Sequence, residues 1–313
     1  MVAGPAPAVS RVSPPIASAA VRSRRRQSWA GYVFVGPAIL LLLVFNVYPL
    51  VQGVVLSLQQ WDGVNPSPAY VGLANYARVL GDDVFRVSLL NALGFGLVGL
   101  LGGGTLGLAM ALAVNARPRG AQAYRAIYFL PWILSVVVIG FLWVWLLDPA
   151  VGPLDKALYA FNLGDWAHAW LAEPETAFPT IAGIYVWAHW GLGFLLFLSG
   201  LQNVPTDVLE SAAIDGAGAW ARFRYVIWPL LLPISVVVSV LTLLLALQIF
   251  GTILVTTNGG PGFHTEVPTL RIFKESFQFF RFGVAAAMSV VFGLILIFVS
   301  LGQLGLSRRF NQE

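Results

Sequence analysis

The chain has 313 residues, 58% of them apolar and 10% charged, against about 45–50% and about 25% in a soluble domain. At a mean hydropathy of +0.79 too few polar side chains remain to coat the two water-facing globules this length would otherwise suggest, so the sequence reads as a membrane protein. The lack of any cysteine excludes a disulfide framework, thiolate catalysis and Cys-ligated metal centres, and the net charge of +4 is small enough that only its distribution is informative.

Ionisable groups are costly in hydrocarbon, so they punctuate the chain. Six charge-free stretches, residues 27–61, 87–116, 126–147, 176–206, 225–265 and 282–307, each exceed the roughly 20 residues that a helix needs to cross a bilayer. The first 28 residues read as a mobile, basic, Ala/Pro/Ser-rich cytoplasmic tail with a cluster from Arg22 to Arg26. The apolar run behind them exceeds the about 7–15 residues of a signal-peptide core, so an uncleaved first helix is expected. The predicted helices cover residues 31–57, 87–114, 126–147, 178–201, 227–252 and 283–306, making residues 29–313 one membrane domain.

Alternate loops differ in basic content. Arg11, Arg22, Arg24, Arg25, Arg26, Arg117, Arg119, Arg125, Arg222, Arg224, Arg308 and Arg309 lie in one set, 12 of the 18 basic residues, while the other set carries ten of the fourteen acids. By the positive-inside rule both termini are cytoplasmic.

In the second span, Gly94-Phe-Gly96-Leu-Val-Gly99 matches the dinucleotide fingerprint in letters but lacks the strand before it. Gly99, Gly103 and Gly107 read instead as small-xxx-small steps for close helix approach. There is no P-loop, HExxH or GxSxG pattern, and His168, His189 and His264 are too scattered to suggest a metal site. The spans hold no Asp, Glu, Lys or Arg, which weighs against an ion-coupled pump.

Residues 205–229, between the fourth and fifth spans, read as two short helices hinged at Gly216. Thr206 or Asp207 would cap the first, Gly216 and Gly218 would end it with positive φ, and Pro229 would end the second. The loop strongly resembles the EAA loop of ATP-binding cassette (ABC) importer permeases of the carbohydrate type. The matching positions are Glu210, Ser211, Ala212, Ala213, Asp215, Gly216, Ala217, Phe223 and Pro229. Further likeness is carried by Val71-Gly72-Leu73-Ala74-Asn75-Tyr76, by Tyr124-Arg125-Ala126 through Leu130-Pro131, and by Thr257-Asn258-Gly259-Gly260-Pro261. The last run is most similar to the first of the two permeases in maltose-type systems.

The resemblance implies a type I importer domain in a prokaryotic cytoplasmic membrane, paired with a second permease subunit. It further implies two cytosolic ATPase subunits that bind the ATP, so that this chain has no cofactor and is not itself an enzyme, and an extracytoplasmic sugar-binding protein. Nucleic acid has no part. The resemblance also places the substrate path at Trp132, at Tyr185, His189 and Leu192 on one face of the fourth span, and at Thr242, Leu245 and Ala246 on one face of the fifth. The apolar character of the last group departs from a maltose site. A glycerol 3-phosphate permease of the same family and an autonomous secondary transporter are the alternatives.

Overall fold

The computed structural model describes Gly4 and residues 32–116 and 120–310. Apart from Gly4, the tail of residues 1–28, with Arg117 and Arg119, lies outside the described residues. The chain divides between Gly53 and Val54, and the helix crossing that point is taken on each side separately.

The first helix, α1 (Tyr32–Ser57), is apolar all round, and none of its residues up to Gly53 is buried. Such a helix suits hydrocarbon on every side. At its far end Ser57 is buried. Its hydroxyl pairs with the Tyr76 hydroxyl at 2.6 Å, and the Asn75 amide donates to the carbonyls of Ser57 and Gln59 at 2.9 and 2.8 Å. These bonds tie α2 (Ala74–Leu80) to a small antiparallel hairpin of β1 (Gln59–Gln60) and β2 (Ala69–Tyr70). They account for the Asn-Tyr pair in the first sequence landmark.

The second long helix, α3 (Asp83–Asn115), starts before the expected residue 87 because Asp82 caps it, accepting from the Phe85 N–H at 3.0 Å. Helix α7 (Pro174–Gln202) is the central rod, with buried residues spread around it in three of the core clusters. Glycines set the spacing between α3 and α7. A Cβ on Gly107 would lie 2.8 Å from the Phe194 nitrogen, and one on Gly99 3.2 Å from the Tyr185 ring. Gly103 has open space where its Cβ would be, so two of the three expected small-residue steps carry close packing.

The third span is not the single helix expected over 126–147. It is α4 (Ala121–Ile133) and α5 (Val136–Leu146), bent by 93°. Pro131 cannot donate to the Ile127 carbonyl, and Leu134 and Ser135 then run extended with ψ of 142° and 136°. The break lets α4 lie along α7, where a Cβ on Gly191 would meet the Tyr128 carbonyl oxygen at 3.0 Å. It lets α5 lie against α10 (Gly251–Thr256), with Val255 and Val136 filling the space beside Gly140 and Gly251.

A short helix, α6 (Pro153–Ala160), precedes α7. After α7 come α8 (Thr206–Ile214) and α9, a continuous run over residues 219–247 that includes a π turn at Phe223–Ile227. The chain closes with α11 (Pro268–Phe273), which leads into a second π turn at Lys274–Gln278, and α12 (Phe282–Phe310). Among the described residues five helices are long and apolar enough to cross a membrane, six spans if the bent pair counts as one. The helices overrun the apolar stretches, so Asp83, Arg86, Arg125, Glu175, Arg222 and Arg224 fall within their first two turns.

Where α3 begins and α11 ends, charges are buried against one another. Arg271 bridges Asp82 and Glu275, each at 3.0 Å. Burial pushes the Asp82 carboxyl upward, but the Phe85 N–H and the Arg271 guanidinium outweigh it and hold the group below the ordinary carboxylate range. Beside this, the fully buried Glu266 meets Lys274 Nζ at 2.7 Å, and the same ammonium donates to the Asn258 carbonyl at 2.8 Å. The Asn-Gly-Gly-Pro run wraps this pair: Gly259 has φ of +87°, and a Cβ there would run into Glu266 Oε2.

Candidate functional site

The loop of residues 205–229 forms two helical segments meeting at Gly216. Gly216 has φ of +80° and bonds the Ala213 carbonyl at 3.1 Å, while the Ala217 N–H reaches back to Ala212 at 3.0 Å. These two bonds make a Schellman end, with Asp215 as the C-cap. Three details differ from the sequence reading. Neither Thr206 nor Asp207 caps α8: the N-cap is Pro205, without a side-chain bond. Gly218 has φ of −66° and is the extended residue that opens α9. Pro229 ends nothing, because the wide turn before it, in which the Trp228 N–H bonds Phe223 five residues back, makes room for a residue that has no donor and crowds the preceding carbonyl.

Much of the loop is exposed. Glu210, Ser211, Ala213, Asp215, Gly216 and Pro229 are exposed, and Ala212, Ala217 and Phe223 are half-buried. The Ser211 hydroxyl bonds the Asp207 carbonyl at 2.8 Å, and the Phe223 ring lies 5.7 Å from Trp220 and 6.2 Å from Trp228. Ile214 and Trp220, on either side of the turn, are 86% and 73% exposed. Two large apolar side chains are thus left uncovered beside a helix that carries Asp207 and Glu210.

Within the bundle the residues expected to line the substrate path form two linked groups. The His189 ring stacks on Tyr185 at 4.0 Å, and its Nδ1 lies 2.8 Å from the Tyr185 carbonyl; Trp132 meets His189 edge-on at 5.4 Å. Tyr185 is also part of the second group, packing with Thr242 and Ala246 around Gly99. The Tyr185 hydroxyl is buried and has no partner among the described residues. Leu192 is half-buried and Leu245 exposed, and both lie outside these contacts, so the expected face of the fifth span is divided: Thr242 and Ala246 turn inward. Thr242 alone of the seven lines an apolar groove of about 280 Å³ between α3, α7 and α9, with Ser235, Ser239 and Thr105 as its other polar groups. Tyr128, whose ring packs on Trp190 and Phe194, extends the aromatic wall; its i, i+4 spacing from Tyr124 is the signal in the sequence.

Five long apolar helices, a bent pair and an exposed helical loop define a multi-pass membrane protein. Residues 103–312, more than half of the chain, match the family described as the binding-protein-dependent transport system inner membrane component. The chain belongs to this family and is a permease subunit of an ABC importer. It is 33% identical over 274 residues to a trehalose/maltose transport system permease of Thermococcus litoralis, covering 87% of this chain and 92% of that one. It is 31% identical over 269 residues to an sn-glycerol-3-phosphate transport system permease of Agrobacterium fabrum, covering 85% and 90%. A solved bacterial ABC transporter involved in the import of the acidic polysaccharide alginate matches with a TM-score of 0.80 at 22% identity, covering 92% of this chain and 98% of that one. The fold is that of a type I importer membrane domain.

Proposed function

We propose that this permease imports a neutral sugar delivered by an extracytoplasmic binding protein. It works with a second, related permease subunit and two cytosolic ATPases that bind and hydrolyse the ATP. Both termini and residues 205–229 face the cytosol. The observation that carries the reading is the exposed turn of that loop, with Ile214 and Trp220 flanking Gly216. Closure of the ATPase dimer moves the docked loops, and the loop is where a nucleotide-dependent bias enters the membrane helices.

A sugar asks for aromatic faces toward its CH patches and a few polar groups toward its hydroxyls. Trp132, Tyr185 and His189 supply both, with Thr242 across the bundle and Leu192, Leu245 and Ala246 as apolar wall. A phosphate substrate calls for a cation in the path. Among the described residues the basic side chains of the spanning helices lie near helix ends, which favours a neutral sugar over glycerol 3-phosphate. The test is reconstitution. The chain assembled with its second permease, ATPases and binding protein should take up sugar only with ATP, and Glu210→Lys should abolish uptake while the binding protein still holds sugar. Sugar uptake by the purified chain alone, without ATP, would make it an autonomous carrier and overturn the proposal.

A further inference from the structure

A polar cavity of about 250 Å³ lies between the β1–β2 hairpin, α2 and the start of α12, lined by Trp61, Asp62, Arg78, Phe280 and Arg281 among others. In the orientation set out above it opens on the extracytoplasmic side. We propose that this cavity is a socket for an acidic side chain of the binding protein. The inference rests on the importer reading and names the chemistry by which the delivering partner is held.

The socket is preformed. The Phe282 N–H donates to the Trp61 carbonyl at 3.0 Å, and Asn75 holds the hairpin from below through the Ser57 and Gln59 carbonyls. Gly283 sits so close to the hairpin that a Cβ would strike the Gln59 carbonyl oxygen. Walls pinned in this way lose little entropy when filled.

Its charge runs against its surroundings. The outer loops hold ten of the fourteen acids, yet the cavity presents two guanidinium groups and one carboxylate. Arg78 has neither an ion pair nor a side-chain hydrogen bond among the described residues. Arg281 stands 3.6 Å from Glu275, whose other oxygen already takes Arg271 at 3.0 Å, so most of its donors are free. Asp62 spends one oxygen on the N–H groups of Val64 and Asn65. The unpaired Arg78 fork and the remaining donors of Arg281, beside the Trp61 and Phe280 rings, suit a carboxylate on an apolar stem. The volume falls below the about 300–1,000 Å³ usual for small-molecule sites, which favours one protein side chain over a free sugar.

The test uses the complete transporter in nanodiscs of neutral lipid, titrated with sugar-loaded binding protein at low salt. For Arg78→Glu with Arg281→Glu, the binding-protein concentration that half-saturates ATPase stimulation should rise about tenfold or more, with smaller shifts for Arg78→Gln and Arg281→Gln, and the wild-type value should climb steeply with salt. An unchanged half-saturation point for both the reversal and the neutral variants, in transporter that still reaches the wild-type plateau, overturns the socket. So does a shift seen only in anionic-lipid nanodiscs, which would assign the arginines to lipid headgroups. If the wild-type transporter is not stimulated by binding protein at all, the importer reading itself fails, a result distinct from either of these.

Discussion

Gly216 offers a test in which backbone strain can be separated from crowding. Its φ of +80° lies in the left-handed region, and a Cβ placed there meets nothing within 4 Å. Any penalty for a side chain is therefore conformational. A non-glycine residue in this region costs about 1–2 kcal/mol, and a β-branched one more, whereas Asn tolerates it. If the docking surface requires the Schellman turn that sets α8 against α9, that energy appears as lost affinity for the ATPase, at about 1.4 kcal/mol per tenfold. Gly216→Asn should then bind ATPase within a few-fold of wild type, Gly216→Ala about 5–30-fold more weakly, and Gly216→Val more weakly still. Affinity is measured by titrating labelled ATPase onto permease pairs in nanodiscs, and sugar uptake should fall in the same order. Equal affinities for Asn and Val, or a loss with Asn as great as with Val, would refute the reasoning, because crowding and bulk would then matter where the structure has open space.

The proposed topology puts Ser67 and Ala169 outside, so single cysteines at those positions should react with an impermeant reagent in intact cells; protection of either would overturn the orientation. In the proposed substrate path, Trp132→Ala removes the edge-on partner of His189, and aromatic pairs are worth about 0.5–1.5 kcal/mol. Uptake should fall about 2–10-fold or change its sugar preference while the complex still assembles; with native uptake in both Trp132→Ala and His189→Ala the path lies elsewhere. Lys274→Met strands the fully buried Glu266 and should cost about 3–5 kcal/mol in unfolding experiments in detergent. Adding Glu266→Gln should restore a large part, and a double variant as unstable as the single one would mean the pair is not coupled.

Much of this molecule is legible in its sequence because membrane solvation is unforgiving. Charge punctuation locates the long helices, and Gly216 reads correctly as a turn because positive φ leaves few other choices. The i, i+4 spacing of Tyr185 and His189 anticipates their stack. What stays hidden depends on partners in space. Pro131 could be tolerated in a straight span, and the bend at Leu134–Ser135 follows from what α5 packs against, not from the proline alone. Pro229 looks like a stop until the wide turn before it is seen. The Arg271–Asp82 bridge joins residues 189 apart in the chain, beyond any local pattern. The division of Thr242 and Ala246 from Leu245 likewise depends on which neighbour covers the helix.

The continuity of α9 through Pro229 has a mechanical consequence. From Ala219 to Leu247 the helix is a rod of about 40 Å at 1.5 Å per residue, with the loop turn at one end and the break at Gln248–Phe250 at the other. A proline stop at residue 229 would have made a swivel there and dissipated any push from below. An unbroken rod is a lever: tilted by about 5°, its far end sweeps roughly 3–4 Å, by the same geometry. Thr242 and Ala246 ride near that end against Gly99 and Tyr185, so on the proposed function a small rotation imposed on the exposed turn would be delivered, magnified, to a close helix contact in the bundle.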